Sequence, residues 1–246
     1  MTKRVMLTVA YDGSAYCGWQ IQPTGNTIEG ELNRALTELC GEEIKVTGAS
    51  RTDAGVHARC NKAVFDTTSR IPAEKMSYAL NRYLPKDIRI RKSEEVAADF
   101  HPRKCACQKT YEYRILNAAF EDPILRLYSY FTYVPLDVGR MQSAAAYFEG
   151  THDFAAFSTF KPEVTTTVRT ISRLSVEQKE QLITIRVTGN GFLYHMVRII
   201  AGTLMEVGRG RMEPSRIADI LLSGDRNQAG PTAPACGLIL TEHEFL

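Results

Sequence analysis

No two of the six cysteines have the C-x-x-C spacing of a zinc knuckle or a redox couple. Cys105 and Cys107 are one residue apart, which is poor geometry for a shared tetrahedral metal. The five histidines are scattered, and H-E-x-x-H does not occur. No metal site is expected, and the thiols read as reduced. Apolar runs approaching the roughly 20 residues that span a bilayer are missing. The N-terminus alternates into Tyr11-Asp12-Gly13 like a first strand, not like a leader. A cytoplasmic chain without a membrane partner is expected. Gly189-Asn190-Gly191 lacks the third glycine of a dinucleotide fingerprint, because Tyr194 stands in its place, and no G-x-x-x-x-G-K is present.

What is present is a chain of 246 residues, 44% hydrophobic, able to bury a substantial core. Its net charge of +2 conceals an uneven distribution. From Arg82 to Arg114 nine Lys/Arg face five acids, and from Arg186 to Arg216 five Arg face two Glu. Two basic stretches in a near-neutral chain can form a positive groove for nucleic acid, or merely two solvated faces.

Residues 3–11 alternate as a strand. Asn26-Thr27-Ile28-Glu29 reads as a capping box with Asn26 as N-cap, followed by a helix that Gly41 ends. Strands are expected at 43–49, 60–67 and 88–92, with a helix from about Pro72 to Leu84. The pattern restarts with strands at 109–116 and 127–134 and a helix at 137–149. Gly150-Thr151-His152-Asp153-Phe154 should open a short helix or turn. An antiparallel pair at 166–176 and 181–188 follows, then helices at 192–206 and 214–222 and a strand at 236–244. Gly208-Arg209-Gly210-Arg211 reads as a helix end and a basic turn. The expectation is an α+β chain of two halves, 1–104 and 105–246, dividing near His101–Lys109.

Asp53 stands in the polar segment Ser50-Arg51-Thr52-Asp53-Ala54-Gly55-Val56-His57-Ala58, between two strands. Asp near Gly is an ordinary turn signal. Loops between strands are also where catalytic groups are displayed.

That segment is one of six that, in order, resemble the TruA family of tRNA pseudouridine synthases over nearly the whole chain. The first is Tyr11-Asp12-Gly13 with Gly18-Trp19-Gln20 and Gln22-Pro23, and the Asp53 segment follows. Then come Phe100-His101-Pro102-Arg103, Lys109-Thr110-Tyr111-Glu112-Tyr113-Arg114, Gly191-Phe192-Leu193-Tyr194-His195-Met196-Val197-Arg198, and Ala233-Pro234-Ala235-Cys236-Gly237-Leu238. Ser50 departs from a common glycine and is expected to tighten the turn slightly. Cys236 fills a variable position.

The resemblance implies a pseudouridine-synthase-like fold. Its two similar α/β halves have mostly antiparallel sheets with helices on one face and an active-site cleft between them. It implies isomerisation of uridine to pseudouridine in the tRNA anticodon stem-loop (nucleotides 38–40), with no cofactor, by a homodimer binding RNA across both subunits. Asp53 would be the nucleophile, attacking ribose C1′. A glycal route and attack on uracil C6 remain open beside it. Each needs an ionised carboxylate, and Arg198 would be the cation that favours one. Tyr111 would stack on the uracil and assist proton loss at C5, and Leu238 would line the base pocket. Arg51 would touch the RNA backbone or hold the nucleotide once it is turned out of its stem. Phosphate ligands are expected among Arg82, Arg89, Arg91, Arg103, Lys109, Arg209 and Arg211. A non-catalytic RNA-binding module and an enzyme acting on free nucleosides are the competing classes.

Overall fold

The computed structural model describes residues 2–159 and 165–246. They form two compact units, Met1–Ala106 with Leu240–Leu246, and Cys107–Ile239.

In the first unit the strands are β1 (Lys3–Tyr11), β2 (Thr47–Gly48), β3 (His57–Thr67) and β4 (Ile88–Val96). Their order is β4-β1-β3, with β2 antiparallel on β3. Strand β10 (Leu238–Phe245) lies beside β3. Helix α1 (Ile28–Cys40) turns Ile28, Leu32, Ala35 and Leu36 inward, as their spacing predicts. Its N-cap is Thr27, whose hydroxyl accepts from Gly30 N, not Asn26. The candidate box partner Glu29 accepts from Ile21 N–H instead. Gly41 does close the helix, at φ 71°. The second helix, α2 (Met76–Leu80), is short and follows a 3₁₀ turn at Ala73–Lys75.

The second unit carries β5 (Cys107–Asn117), β6 (Tyr130–Thr132), β7 (Gly150–Asp153), β8 (Val168–Lys179) and β9 (Leu182–Gly189). The order β5-β9-β8-β7 is antiparallel throughout, and β6 pairs with β5 in parallel. Helices α3 (Val138–Ala145), α4 (Met196–Gly208) and α5 (Arg216–Ser223) complete it. β9 alternates strictly, with Ile183, Ile185 and Val187 buried and Thr184, Arg186 and Thr188 only partly so. That is the pattern of a sheet with one covered face. The architecture is α+β.

Other sequence expectations need correction as well: only Thr47–Gly48 of 43–49 is strand, and the helix expected from Pro72 to Leu84 is α-helical only over Met76–Leu80. Strand 127–134 shrinks to Tyr130–Thr132, because Tyr128 N–H and Ser129 Oγ both bond the Leu125 carbonyl in a turn. Gly150–Asp153 is a strand against β8, and in the 3₁₀ turn that follows Ala155 N–H donates to Asp153 Oδ1 at 2.9 Å. Helix α4 starts at Met196, not 192, since His195 takes a left-handed conformation at φ 63°. Phe192 and Leu193 supply helical apolar spacing without belonging to the helix.

Candidate active site

Asp53 is half-buried on the loop that joins β2 to β3. Val56 N–H donates to the Asp53 carbonyl at 3.1 Å and closes a turn, with Gly55 at φ 78°. The segment after β1 braces this turn from outside. Trp19 N–H donates to the Thr52 carbonyl at 3.0 Å, and Gly55 N–H donates to the Tyr16 carbonyl at 3.3 Å. Gly18 has φ 95°, and a Cβ there would stand 2.7 Å from the Thr52 oxygen. Glycine alone tolerates both the backbone angle and the approach. Gly13 N–H donates to His57 Nδ1 at 3.1 Å, and Asp12 Oδ1 lies 3.2 Å from the same nitrogen. Sequence reading finds these glycines only as motif members; their contact with the Asp53 loop has no local signal.

Beneath the loop lies a buried polar network. Tyr11 Oη bonds Thr52 Oγ1 at 2.7 Å, and Asn61 Nδ2 donates to Tyr11 Oη at 3.3 Å. Asn61 also holds both backbone groups of Ser50. The Ser50 hydroxyl is buried and makes no hydrogen bond among the described residues. The backbone at this position is what is held, not the side chain that departs from glycine.

A cavity of about 190 Å³ opens beside this loop, lined by Trp19, Gln20, Glu29, Gly48, Arg51 and Arg103. Trp19, only 1% exposed, forms its floor. Gly48 lies under the indole, where a Cβ would come within 2.3 Å of the ring. Burial pushes the Arg103 guanidinium pKa down, and the charge of Arg51 pushes it the same way, against Glu29. Two guanidiniums gathered around a polar void suit an anionic group of a ligand. Sequence reading named Arg51 and Arg103 but missed Glu29 and Gly48, which lie far away along the chain.

Tyr111, Lys109, Arg198 and Leu238 lie in the second unit. Tyr111 on β5 is 9% exposed, and its ring meets Phe192 edge-on, with centroids 5.2 Å apart at 86°. Gly189, opposite Lys109 in the β5–β9 register, leaves room for Phe192, whose Cζ would lie 3.4 Å from a Cβ there. Lys109 shares the Tyr111 side of β5, and burial lowers its ammonium pKa. Arg198 occupies the first turn of α4. Its Nε donates to the Ala233 carbonyl at 2.7 Å, and Ala233 N–H donates back to the Arg198 carbonyl at 3.1 Å. Glycines permit that approach: a Cβ on Gly202 would lie 1.8 Å from the Pro231 oxygen. Tyr113 Oη donates to the Pro234 carbonyl at 2.9 Å, and Leu238, 5% exposed, follows at the start of β10.

The basic stretches are less available than their charge count suggests. Arg209 and Arg211 share Glu206, and Arg114 and Arg186 share Glu112. Arg89 bonds the carbonyls of Pro85 and Ile88.

Asp53 thus sits on a braced inter-strand loop beside an arginine-lined cavity in an α+β chain. Residues 7–103 and 144–245 match the family described as tRNA pseudouridine synthase, and the chain belongs to that family. It is similar to the tRNA pseudouridine synthase A of Thermoanaerobacter sp. (strain X514), 46% identical over 97% of this chain and 98% of the relative. The protein of that name in Ruminiclostridium cellulolyticum is 48% identical over 98% of each chain. The one in Pelobacter propionicus is 45% identical over 99% of this chain and 100% of the relative.

Proposed function

We propose that the protein isomerises uridine to pseudouridine in the anticodon stem-loop of tRNA, with Asp53 as the nucleophile. The observation that carries this reading is the fixed presentation of Asp53 on its loop, within a chain matching the synthase family on both sides of residue 53. In the covalent route an Asp53 oxygen attacks C1′ as the C1′–N1 bond breaks, and the electron pair leaves with N1 of uracil. The base turns, C5 bonds to C1′, and the Asp53–C1′ bond breaks. Loss of the C5 proton then restores the aromatic ring, while N1 takes up a proton.

Arg198 supplies positive charge to this reaction, Tyr111 stacks on the uracil and assists loss of the C5 proton, and Leu238 lines the base pocket. Arg51 and Arg103 hold a backbone phosphate in their cavity, and Lys109 adds a further RNA contact. The reaction needs no redox or group-transfer cofactor, because substrate and product are isomers. The working form is a cytoplasmic homodimer that binds RNA across both subunits, and light scattering of the pure protein tests the dimer.

The deciding experiment maps pseudouridine in unmodified tRNA after incubation with the purified protein. Product in the anticodon stem-loop, absent with Asp53→Ala, supports the reading; equal product from both proteins overturns the assignment of Asp53. Comparable turnover on free uridine would favour a nucleoside enzyme. Substrate deuterated at C2′ separates the routes, since only the glycal path breaks that bond and slows.

A further inference from the structure

We infer that Tyr11 and Asn61 are positioning residues for Asp53, joined in a buried hydrogen-bond network that fixes the backbone leading into the catalytic carboxylate. This rests on the reading of Asp53 as the nucleophile.

The β2–β3 ladder runs out at Gly48 opposite Ala63, with one further bond from Ala49 N–H to the Lys62 carbonyl at 2.7 Å. Beyond that point the chain departs toward Arg51. A side chain takes over as the next rung. Asn61, fully buried on β3, accepts from Ser50 N–H at 3.2 Å through Oδ1 and donates to the Ser50 carbonyl at 2.9 Å through Nδ2. Oδ1 also accepts from Lys62 N–H at 2.9 Å, and Nδ2 reaches Tyr11 Oη at 3.3 Å. Both donor hydrogens and both acceptor lone pairs of the amide are used.

Tyr11 passes the constraint along. It is 5% exposed, and its hydroxyl meets Thr52 Oγ1 at 2.7 Å, one residue before Asp53. Burial holds the phenol pKa far above its ordinary value, so the group stays a neutral hydroxyl at any working pH. Residues 50 and 52 are thereby pegged to β3 and β1. Residues 53 to 57 are closed by the Val56-to-Asp53 turn and the Gly13–His57 bond. A buried polar network is a poor way to gain stability alone, because an apolar core would serve as well without the risk of unsatisfied groups. What it specifies is one backbone shape. The sequence carries a faint trace of it, an asparagine on the inward side of β3 in line with Ala63 and Phe65.

The test compares Tyr11→Phe, Thr52→Val and the double variant in single-turnover assays on tRNA. A displacement of a reacting group by about 1 Å can cost about 100-fold in rate. Each single variant is expected to lower kcat about 10- to 100-fold, with KM changed by no more than about twofold. The double variant should be no worse than the weaker single. Thr52→Ser, which keeps the hydroxyl, should retain kcat.

Val5→Ala supplies the stability control. It opens a cavity in the same strand, far from the network, and should lower Tm while sparing kcat measured well below Tm. Tyr11→Phe at wild-type kcat, or losses that follow Tm as those of Val5→Ala do, overturns the proposal. Hydrogen exchange at Gly55 and Val56 gives a readout independent of the reaction. It should quicken in Tyr11→Phe and not in Val5→Ala; unchanged exchange counts against the network. A wild-type protein that forms no pseudouridine sinks the assigned activity instead, and the exchange data then decide the positioning role alone.

Discussion

Asp53 sits in an eight-residue stretch, 49–56, without regular structure, and side chains brought from β1 and β3 hold it in shape. Arg198 sits in the first turn of a 13-residue helix whose own backbone bonds would hold it with far less help. The difference teaches where each unit is fragile. A loop residue loses its place when one hydroxyl, amide or glycine changes; a helical residue loses its place only when the helix shifts as a body. The same contrast divides the arginines: Arg198 is aimed by a carbonyl acceptor at Ala233, whereas Arg51 and Arg103 surround a cavity.

The largest effect expected from breaking this comparison is the loss of the carboxylate itself. Asp53→Ala should lower turnover at least roughly 10⁴-fold, as removal of a covalent nucleophile does elsewhere, with tRNA affinity nearly unchanged in a filter-binding assay. A drop in affinity as large as the drop in rate would make Asp53 a binding residue.

Next come the two glycines that let backbone approach backbone. Gly18→Ala places a Cβ 2.7 Å from the Thr52 oxygen at a φ of 95°, and should cost about 1–3 kcal/mol in urea unfolding. Gly202→Ala meets the Pro231 oxygen at 1.8 Å and should cost about 3 kcal/mol, because helix α4 must part from the chain at 231. The informative quantity is kcat per folded molecule. Gly18→Ala should lower it by moving the loop, and Gly202→Ala by withdrawing Ala233 from Arg198. Full activity per folded molecule in Gly18→Ala would show that the loop tolerates the strain.

How much of this was legible in the sequence follows the same division. Strand β1, helix α1 and strand β9 were readable because burial writes itself as spacing. Asp53, Tyr111 and Arg198 were named through family-like motifs, not through periodicity. The N-cap of α1 was misplaced by one residue, since Asn26 and Thr27 are both good caps and only geometry chooses between them. The start of α4 was misplaced by four, because Phe192, whose ring packs on Tyr111, and Leu193 continue the helical apolar spacing without being helical. The pocket and the Asn61 network were not legible. They join residues 19 with 103 and 11 with 61, and no local pattern encodes such meetings.

The arginine cavity permits a smaller and cleaner test. Trp19 is the only tryptophan in the chain and lines that cavity, so its fluorescence should report an anion arriving there. Binding of an anticodon stem-loop should quench or shift it, with affinity falling steeply as salt rises. Arg103→Met should reduce the log–log salt slope by about one, as for a single phosphate contact. Arg91→Met, in a basic stretch but outside the cavity, should change the slope less. Equal slopes in the two variants would remove the distinction between a built subsite and a merely charged surface.

The smallest effect concerns acid stability in the first unit. Arg4 Nη2 lies 2.6 Å from Asp66 Oδ2, and Arg4 Nε lies 2.8 Å from Oδ1, a two-pronged contact between β1 and β3. Hydrogen bonding from Arg4 holds the Asp66 carboxyl below its ordinary pKa, opposed by burial and aided to a lesser degree by the arginine charge. A carboxyl depressed in the folded state contributes stability that is present above its unfolded pKa, about 3.9, and lost as pH falls through the folded value. The Asp66 side chain is 49% exposed, so solvent screening leaves at most about 1 kcal/mol. Arg4→Met should therefore flatten the fall in stability below about pH 4, read by Trp19 fluorescence at low salt. At 1 M salt wild type and variant should converge, because the Debye length shrinks to about 3 Å. An undiminished acid slope in Arg4→Met would move the acid sensitivity of this unit to another carboxylate, with Glu42 the next to examine. Its carboxyl is lowered by hydrogen bonds from the hydroxyls of Thr67 and Thr68, which belong to the end of β3 and the turn after it.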